Sequence, residues 1–332
     1  MPDTAPTLIT GATGFVGSAV ARAFLRRGHA IRLLVRPNGN RSNIAGLPAD
    51  LVEGDLRDPA SLHRAVAGCR HVVHVAADYR LWVPDPDEMN RANVDGSRAL
   101  FRAAQSAGVE RMVYCSSVAA LGLVGDGTPA DETTPNALDK VVGVYKRSKY
   151  LAEQAVLALA REGLPIVIVN PSAPVGPRDI KPTPTGKMIA DTAAGRMPAF
   201  VDTGLNVAHV DDVANGHALA LERGRVGECY ILGGEDMTMQ HMLAVVAEAA
   251  GRKPPRIKLP HGALYPLALA SEALARIAGI EPIVTRDILA MAKKKMFFSS
   301  AKARAELGYV SRPARDAIVD AVGWFRAHRL AA

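Results

Sequence analysis

The chain has 332 residues, 48% of them hydrophobic and 22% charged, a length that suits two domains or one large one with a full hydrophobic core and excludes global disorder, collagen and a disulfide-stapled miniprotein. Its formal charge of +7 would suit an anionic cofactor, an anionic membrane surface or nucleic acid, but the basic residues are dispersed. Their densest run, Lys293-Lys294-Lys295, is shorter than a typical nucleic-acid or lipid cluster, so neither partner is expected. The three cysteines (Cys69, Cys115, Cys229) match no metal spacing and no disulfide framework, so no metal and a reducing cytoplasm are expected. A secretory leader and a run of about 18 apolar residues are both lacking, which argues against export and a membrane span.

In chain order, Thr7 to Thr10 reads as a strand, Phe15 to Arg27 as a helix ending at Gly28, and Ala30 to Val35 as a second strand. A short strand precedes Asp55, Ser61 to Ala67 is helical, and His71 to Val75 is again β-branched and apolar. A helix over Asn90–Ala107 stops at Gly108, a strand covers Arg111 to Cys115, a helix covers Tyr145 to Arg161, and a strand covers Pro165 to Val169. Strands alternating with helices imply βαβ units. The expected fold is therefore α/β, a Rossmann doubly wound parallel sheet. After residue 170 the pattern changes. Five prolines between 171 and 186 predict a loop, because proline fixes φ and removes a donor. Helices are expected near 236–250, 262–278 and 314–328. The expected division is a nucleotide-binding domain over 1–170 and a smaller C-terminal substrate region over 171–332, which can return strands to the first sheet.

The strongest local signal is Thr10-Gly11-Ala12-Thr13-Gly14-Phe15-Val16-Gly17, between a predicted strand and a predicted helix. Gly11 would allow the tight turn, Gly14 the approach of a pyrophosphate, and Gly17 close helix–strand packing. The helix N-terminus would favour the anion. An acidic residue at the end of the second strand would bind the ribose 2′-OH of NAD. Arg36 stands there instead. With Arg41 it predicts a 2′-phosphate, hence NADP(H) as the preferred cofactor and NAD(H) as the alternative. Asp55 is a candidate acceptor for the adenine amino group, or else a turn or cap residue.

Tyr145 and Lys149 are spaced i, i+4 on one predicted helix and so share a face. A phenol titrates near 10, and a neighbouring ammonium would lower that value and let the tyrosine exchange a proton with a substrate oxygen. Ser117, just past a predicted strand, would hold that oxygen.

With these motifs together, the chain resembles the extended short-chain dehydrogenase/reductases. The match runs through Thr10 to Gly17, Gly54 to Leu56, Ala76-Ala77, Asn93-Val94, Ser116-Ser117, Tyr145 to Lys149, Asn170-Pro171, His209 to Asp212, Ala303 to Tyr309 and Trp324-Phe325. The resemblance implies that Ser117, Tyr145 and Lys149 form the catalytic triad. It implies that Phe15, Val16, Asp55, Leu56, Ala76, Ala77 and Pro171 line the cofactor, that Asn93 is buried beside the active site, and that the protein is a homodimer. Two branches compete: dihydroflavonol-reductase-like enzymes that reduce ketones with NADPH, and sugar epimerases/dehydratases. The nearest overall look, including Gly176 to Gly186, is the bacterial hopanoid-associated sugar epimerase group. The substrate classes implied are a ketone, a sugar or a lipid-linked polyol. Epimerases of nucleotide sugars usually carry a diphosphate-gripping arginine four residues before the position of His209; here that residue is Leu205, followed by Asn206. A leucine cannot neutralise a diphosphate, and only Arg178, Lys181 or Lys187 are nearby substitutes. The readings are thus an NADP(H)-dependent oxidoreductase, an epimerase/dehydratase that retains NAD(P), and a non-catalytic NADP sensor, a class that typically loses the Tyr or Lys.

On the substrate side, Tyr79 and Trp82 are candidates for an apolar wall, His209 for a packing role, and Asp211 for the N-cap of a helix through Leu221. The Leu- and Ala-rich segment Gly262 to Ile280 is expected to cover the substrate site or core, with a peripheral lipid contact as the less favoured reading.

Overall fold

The computed structural model describes residues 5–80, 83, 85–125, 127–278 and 285–328. Strand β1 (Thr7–Thr10) leads into helix α1 (Phe15–Arg26), followed by β2 (Ile31–Val35), β3 (Asp50–Glu53), α2 (Pro59–Val66) and β4 (His71–His74). Then come α3 (Pro86–Asn90), a π-helical stretch (Arg91–Asp95), α4 (Gly96–Ser106), β5 (Arg111–Cys115), α5 (Val144–Arg161) and β6 (Ile166–Pro171). The remainder holds β7 (Ala173–Val175), α6 (Pro184–Ala193), β8 (Ala199–Val201), β9 (Gly204–His209), α7 (Val210–Arg223), β10 (Cys229–Leu232), β11 (Glu235–Thr238) and α8 (Met239–Ala249). It ends with β12 (Ile257–Leu259), α9 (Tyr265–Ala278), α10 (Arg286–Ala292), β13 (Lys295–Met296), α11 (Ala301–Leu307) and α12 (Ala314–Ala327).

Seven strands form one parallel sheet in the order β10-β6-β5-β4-β1-β2-β3. Its central strands are short Val/Ile/Leu-rich runs buried on both faces, as a sheet covered by crossover helices requires. One face carries α1, α7 and α11, with Val20, Phe24, Val213 and Leu307 in a common core. The other carries α2, α4 and α5, with Leu62, Phe101 and Val156. A separate core joins α6, α8 and α12 to β7 and β9 through Ile189, Met242, Ile318 and Phe325. The reversal of strand order between β1 and β4 opens the crevice where a doubly wound fold takes its ligand.

The expected central strands and the flanking helices α1 and α5 form within a residue or two of their predicted bounds. Three expectations are corrected. The helix expected over Asn90–Ala107 is interrupted by the π-helical stretch Arg91–Asp95, which carries the buried Asn93. The proline-rich 171–186 stretch holds an edge strand, β7, and the start of α6. Pro184 is tolerated there because a first-turn residue needs no intrahelical N–H, and Thr183 caps Gly186 N. The cap of α7 is His209, not Asp211: His209 Nδ1 accepts from Asp211 N at 3.0 Å, leaving the Asp211 carboxylate to pair with Arg178. Trp82, Leu81 and residues 279–280 of the Leu/Ala-rich segment lie outside the described residues.

Candidate active site

The glycine loop is locked by close packing. Gly14 N donates to Gly11 O at 2.9 Å. Gly11 sits at φ +73, and a Cβ there would lie 2.6 Å from Ala76 N; a Cβ on Gly17 would lie 2.1 Å from Gly11 O. Side chains at either position would fill the space through which α1, the loop and the end of β4 meet. A buried chain fixes the same corner. Thr10 Oγ1 accepts from Ala76 N at 3.1 Å and meets His74 Nδ1 at 2.7 Å. His74 Nε2 meets Ser97 Oγ at 2.9 Å. Burial pushes His74 down to about 3, so it is neutral. No side chain caps the N-terminus of α1, whose N-cap is Gly14, so its first-turn N–H groups and dipole face the crevice as an anion site. The loop thus fits the pyrophosphate of a dinucleotide. Around it, Phe15, Val16, Leu56, Ala76 and Ala77 are half-buried and Pro171 is buried at the end of β6.

At the end of β2, Arg36 is exposed and lines a surface hollow with Pro37, Asn38, Gly39 and Asn40. Among the described residues no carboxylate forms an ion pair with it. Arg41 is already held by Glu53. Asp55 accepts from Arg57 N and Nε, both at 2.9 Å, and these contacts hold its carboxyl below the usual range. The Asp55 carboxylate therefore also braces its own turn.

Ser117 follows β5 and caps a short 3-10 turn, its Oγ accepting from Ala119 N at 3.1 Å. Tyr145 lies in the first turn of α5, and the Ser117 side chain is the polar group that acts on its hydroxyl. Lys149, one turn on, is 2% exposed. Its Nζ donates to Cys115 O at 2.9 Å and Tyr114 Oη at 3.3 Å, and lies 4.9 Å from the Tyr114 ring centre. Burial pushes the Tyr145 phenol up to about 12, with the Ser117 side chain opposing, and lowers the Lys149 ammonium. The expected depression of the phenol by Lys149 is absent, because Lys149 turns toward the carbonyl at the end of β5.

The structure adds residues that the sequence reading passed over. Glu153, the next turn of α5 on the same face, is buried, and its Oε2 accepts from Asn170 Nδ2 at 2.6 Å. Asn170 Nδ2 also reaches Ser117 O at 3.1 Å, so Glu153 and Asn170 set the backbone of the serine. The i, i+8 spacing of Tyr145 and Glu153 was the available signal. Nothing in sequence spacing points to the Thr10–His74–Ser97 chain. Asn93 is buried as expected and bonds Asp78 O at 2.9 Å and Ser148 Oγ at 3.0 Å.

On the substrate side, Tyr79 is exposed. Leu205 packs against the α6–α8–α12 core, and Asn206, 1% exposed, ties Asp236 to Phe298 O. Arg178 is paired with Asp211 and Lys187 with Asp191, so neither is a free replacement for the arginine of nucleotide-sugar epimerases. His209 is buried and spans Asp211 N and Asp320, a packing role. Among the described residues no group of His, Cys, Asp and Glu could hold a metal ion, and no helix is long and apolar enough to cross a membrane.

The profile of the NAD dependent epimerase/dehydratase family matches residues 7–233. A Synechocystis protein named "Putative dihydroflavonol 4-reductase" is 44% identical over 324 residues, covering 96% of this chain and 94% of that protein. Sterol demethylase protein B of Methylococcus capsulatus is 34% identical over 322 residues, covering 96% and 98%. The crystal structure of gox2253 is 64% identical and superposes with a TM-score of 0.88, covering 97% of this chain and 98% of that one.

Proposed function

This chain belongs to the NAD-dependent epimerase/dehydratase family of extended short-chain dehydrogenases/reductases and is an enzyme, and we propose that it is an NADP(H)-dependent reductase acting at a ketone or secondary-alcohol carbon. The observation that carries this reading is Arg36. It is an exposed guanidinium that forms no ion pair among the described residues, although its charge reaches Asp55, and it is placed where an NAD-specific site would present an acid. Such a group pairs with a 2′-phosphate.

The proposed roles follow from the contacts. Ser117 donates to the substrate oxygen, and the loop that carries it is held by Asn170 and Glu153. Tyr145 is the proton donor. Burial keeps its phenol protonated, the form that reduction consumes. Lys149 fixes the end of β5 and places a positive charge beneath the site. A bound NADPH would supply the hydride for a carbonyl carbon, and Tyr145 would deliver the proton to the carbonyl oxygen, so that the product is an alcohol. Packed Leu205 and tied Asn206 weigh against a nucleotide diphosphate in the substrate. The resemblance to hopanoid-associated enzymes makes a lipid-derived ketone or polyol the class to try first. Residence in the cytoplasm and pairing of two copies belong to the same reading, on resemblance alone.

The second reading, an epimerase/dehydratase that retains NAD(P), draws on the family match itself, because both reactions use the same triad. A non-catalytic sensor is disfavoured by the presence of all three residues. The test is to purify the protein without added nucleotide, denature it and identify what is released, then titrate NADPH and NADH. Under the reductase reading the protein comes free of NAD+. It binds NADPH about tenfold or more tighter than NADH, and Arg36→Ala removes most of that preference. Stoichiometric NAD+ would overturn the reading in favour of the epimerase.

A further inference from the structure

A cavity of about 140 Å³ is lined in part by chain neighbours of the proposed catalytic pair. Its wall includes Ala119, two residues past Ser117, and Lys146, the residue after Tyr145. Apolar side chains of Leu121, Leu123, Val141 and Met291 form much of the rest, and Lys294 stands at the exposed rim. Asn136 also lines it, but its amide is spent on Ala120 O and Ala137 N. Lys146 is half-buried, and the sulfur of Met296, at 3.6 Å, is its hydrogen-bond partner. Burial together with the like charge of Lys294 pushes Lys146 down to about 8. Among the described residues, no carboxylate pairs with either lysine. Two like-charged side chains line one small cavity and repel each other, and the half-buried Lys146 is poorly solvated; an anion between them relieves both costs.

We infer that this cavity receives an anionic oxygen group, a carboxylate, carried by the substrate on an apolar chain, and that the enzyme therefore acts on oxo acids in preference to neutral ketones. The inference rests on the reductase reading for the carbonyl, and on the cavity alone for the acid group. The same oxyanion chemistry would also admit free phosphate, so the experiment separates the two sources.

The first measurement is the rate at which an amine-acylating reagent labels Lys146, read by mass spectrometry against exposed Lys253. Hexanoate, hexanol and inorganic phosphate are the probes. Hexanoate is expected to slow Lys146 labelling about tenfold at saturation while hexanol does not. The second measurement is NADPH oxidation with 2-, 3- and 4-oxohexanoate and their methyl esters. The best acid is expected to exceed its ester about tenfold in kcat/KM, and Lys146→Gln or Lys294→Gln to bring that ratio down about tenfold. Lys294 is exposed, so its variant serves if the change beside Tyr145 disturbs folding. Equal effects of hexanoate and hexanol would overturn the inference, as would turnover without preference for acid over ester. Protection by phosphate but not hexanoate would overturn the assignment to substrate. Protection by hexanoate with no carbonyl reduced would leave the acid site standing and remove the reductase reading.

Discussion

At Tyr145, two influences that sequence spacing treats as one are separated in space. The i, i+4 relation puts Lys149 on the same face, but the lysine is drawn toward Cys115 O at the end of β5, and burial dominates the phenol. The side chain is then a reservoir of one proton rather than a ready base. Tyr145→Phe is expected to lower turnover by about 10²–10⁴-fold while the dissociation constant for NADPH stays within about twofold, since only a hydroxyl is lost; a fluorescence titration beside the rate assay decides it. Glu153 offers a second residue-scale test. Removing its carboxylate in Glu153→Ala leaves the amide of Asn170 and the charge of Lys149 with less compensation in a buried place, at a cost of about 2–3 kcal/mol. Urea unfolding at pH 7 measures it, and a change under about 0.5 kcal/mol, the size expected of an ordinary surface site, would rule the role out. The glycine loop and the three residues of the proposed triad could be picked out in the sequence because their chemistry demands residue types at fixed spacing. The Glu153–Asn170 hold on Ser117 was not, because it joins α5, β6 and a loop whose meeting is decided by the sheet.

Among the elements, legibility followed burial. Strands β1, β4, β5 and β6 have apolar, largely β-branched centres, and α1 and α5 have strong start and stop signals, so their bounds were readable. Strands β7, β8, β9, β11, β12 and β13 have two to six residues of mixed polarity and pair with one another across long sequence separations, which no local pattern announces. The junction of α1 with the glycine loop gives the element-scale prediction. Because a Cβ on Gly17 would lie 2.1 Å from Gly11 O, Gly17→Ala must push the helix away from the loop. It is expected to weaken NADPH binding about tenfold or more and to lower stability by about 1–3 kcal/mol. Gly323→Ala in α12, where a Cβ meets nothing within 4 Å, is the matched control and should raise stability slightly by helix propensity; thermal melts of both, with an NADPH titration, distinguish the two.

For the molecule as a whole, two buried histidines set an acid limit. Burial holds His74 at about 3 and His217 at about 4, against an ordinary value of 6.5. Between those values the unfolded chain binds protons that the folded chain refuses, so the contribution of these two groups to stability is flat above about pH 6.5 and falls as the pH drops toward 4. At pH 5 each histidine is expected to cost about 2 kcal/mol. Urea unfolding at pH 7.5 and pH 5 should show the loss. His217→Asn should shrink it by about 2 kcal/mol, and an unchanged pH dependence in that variant would exclude His217 as a source. The final strand of the large sheet has another consequence, one concerning time. Strand β10 ends at Leu232, and α7 packs beside α1 on the same face of the sheet. A ribosome that has released only the first 170 residues has made every part of the glycine loop and the Ser–Tyr–Lys set, yet β6 still shows an unpaired edge and α1 a bare apolar face. At about 5–20 residues per second, several seconds pass before the covering pieces emerge. During that interval the nascent chain is a customer for chaperones, and its ability to hold a nucleotide arrives late, with the second half of the polypeptide.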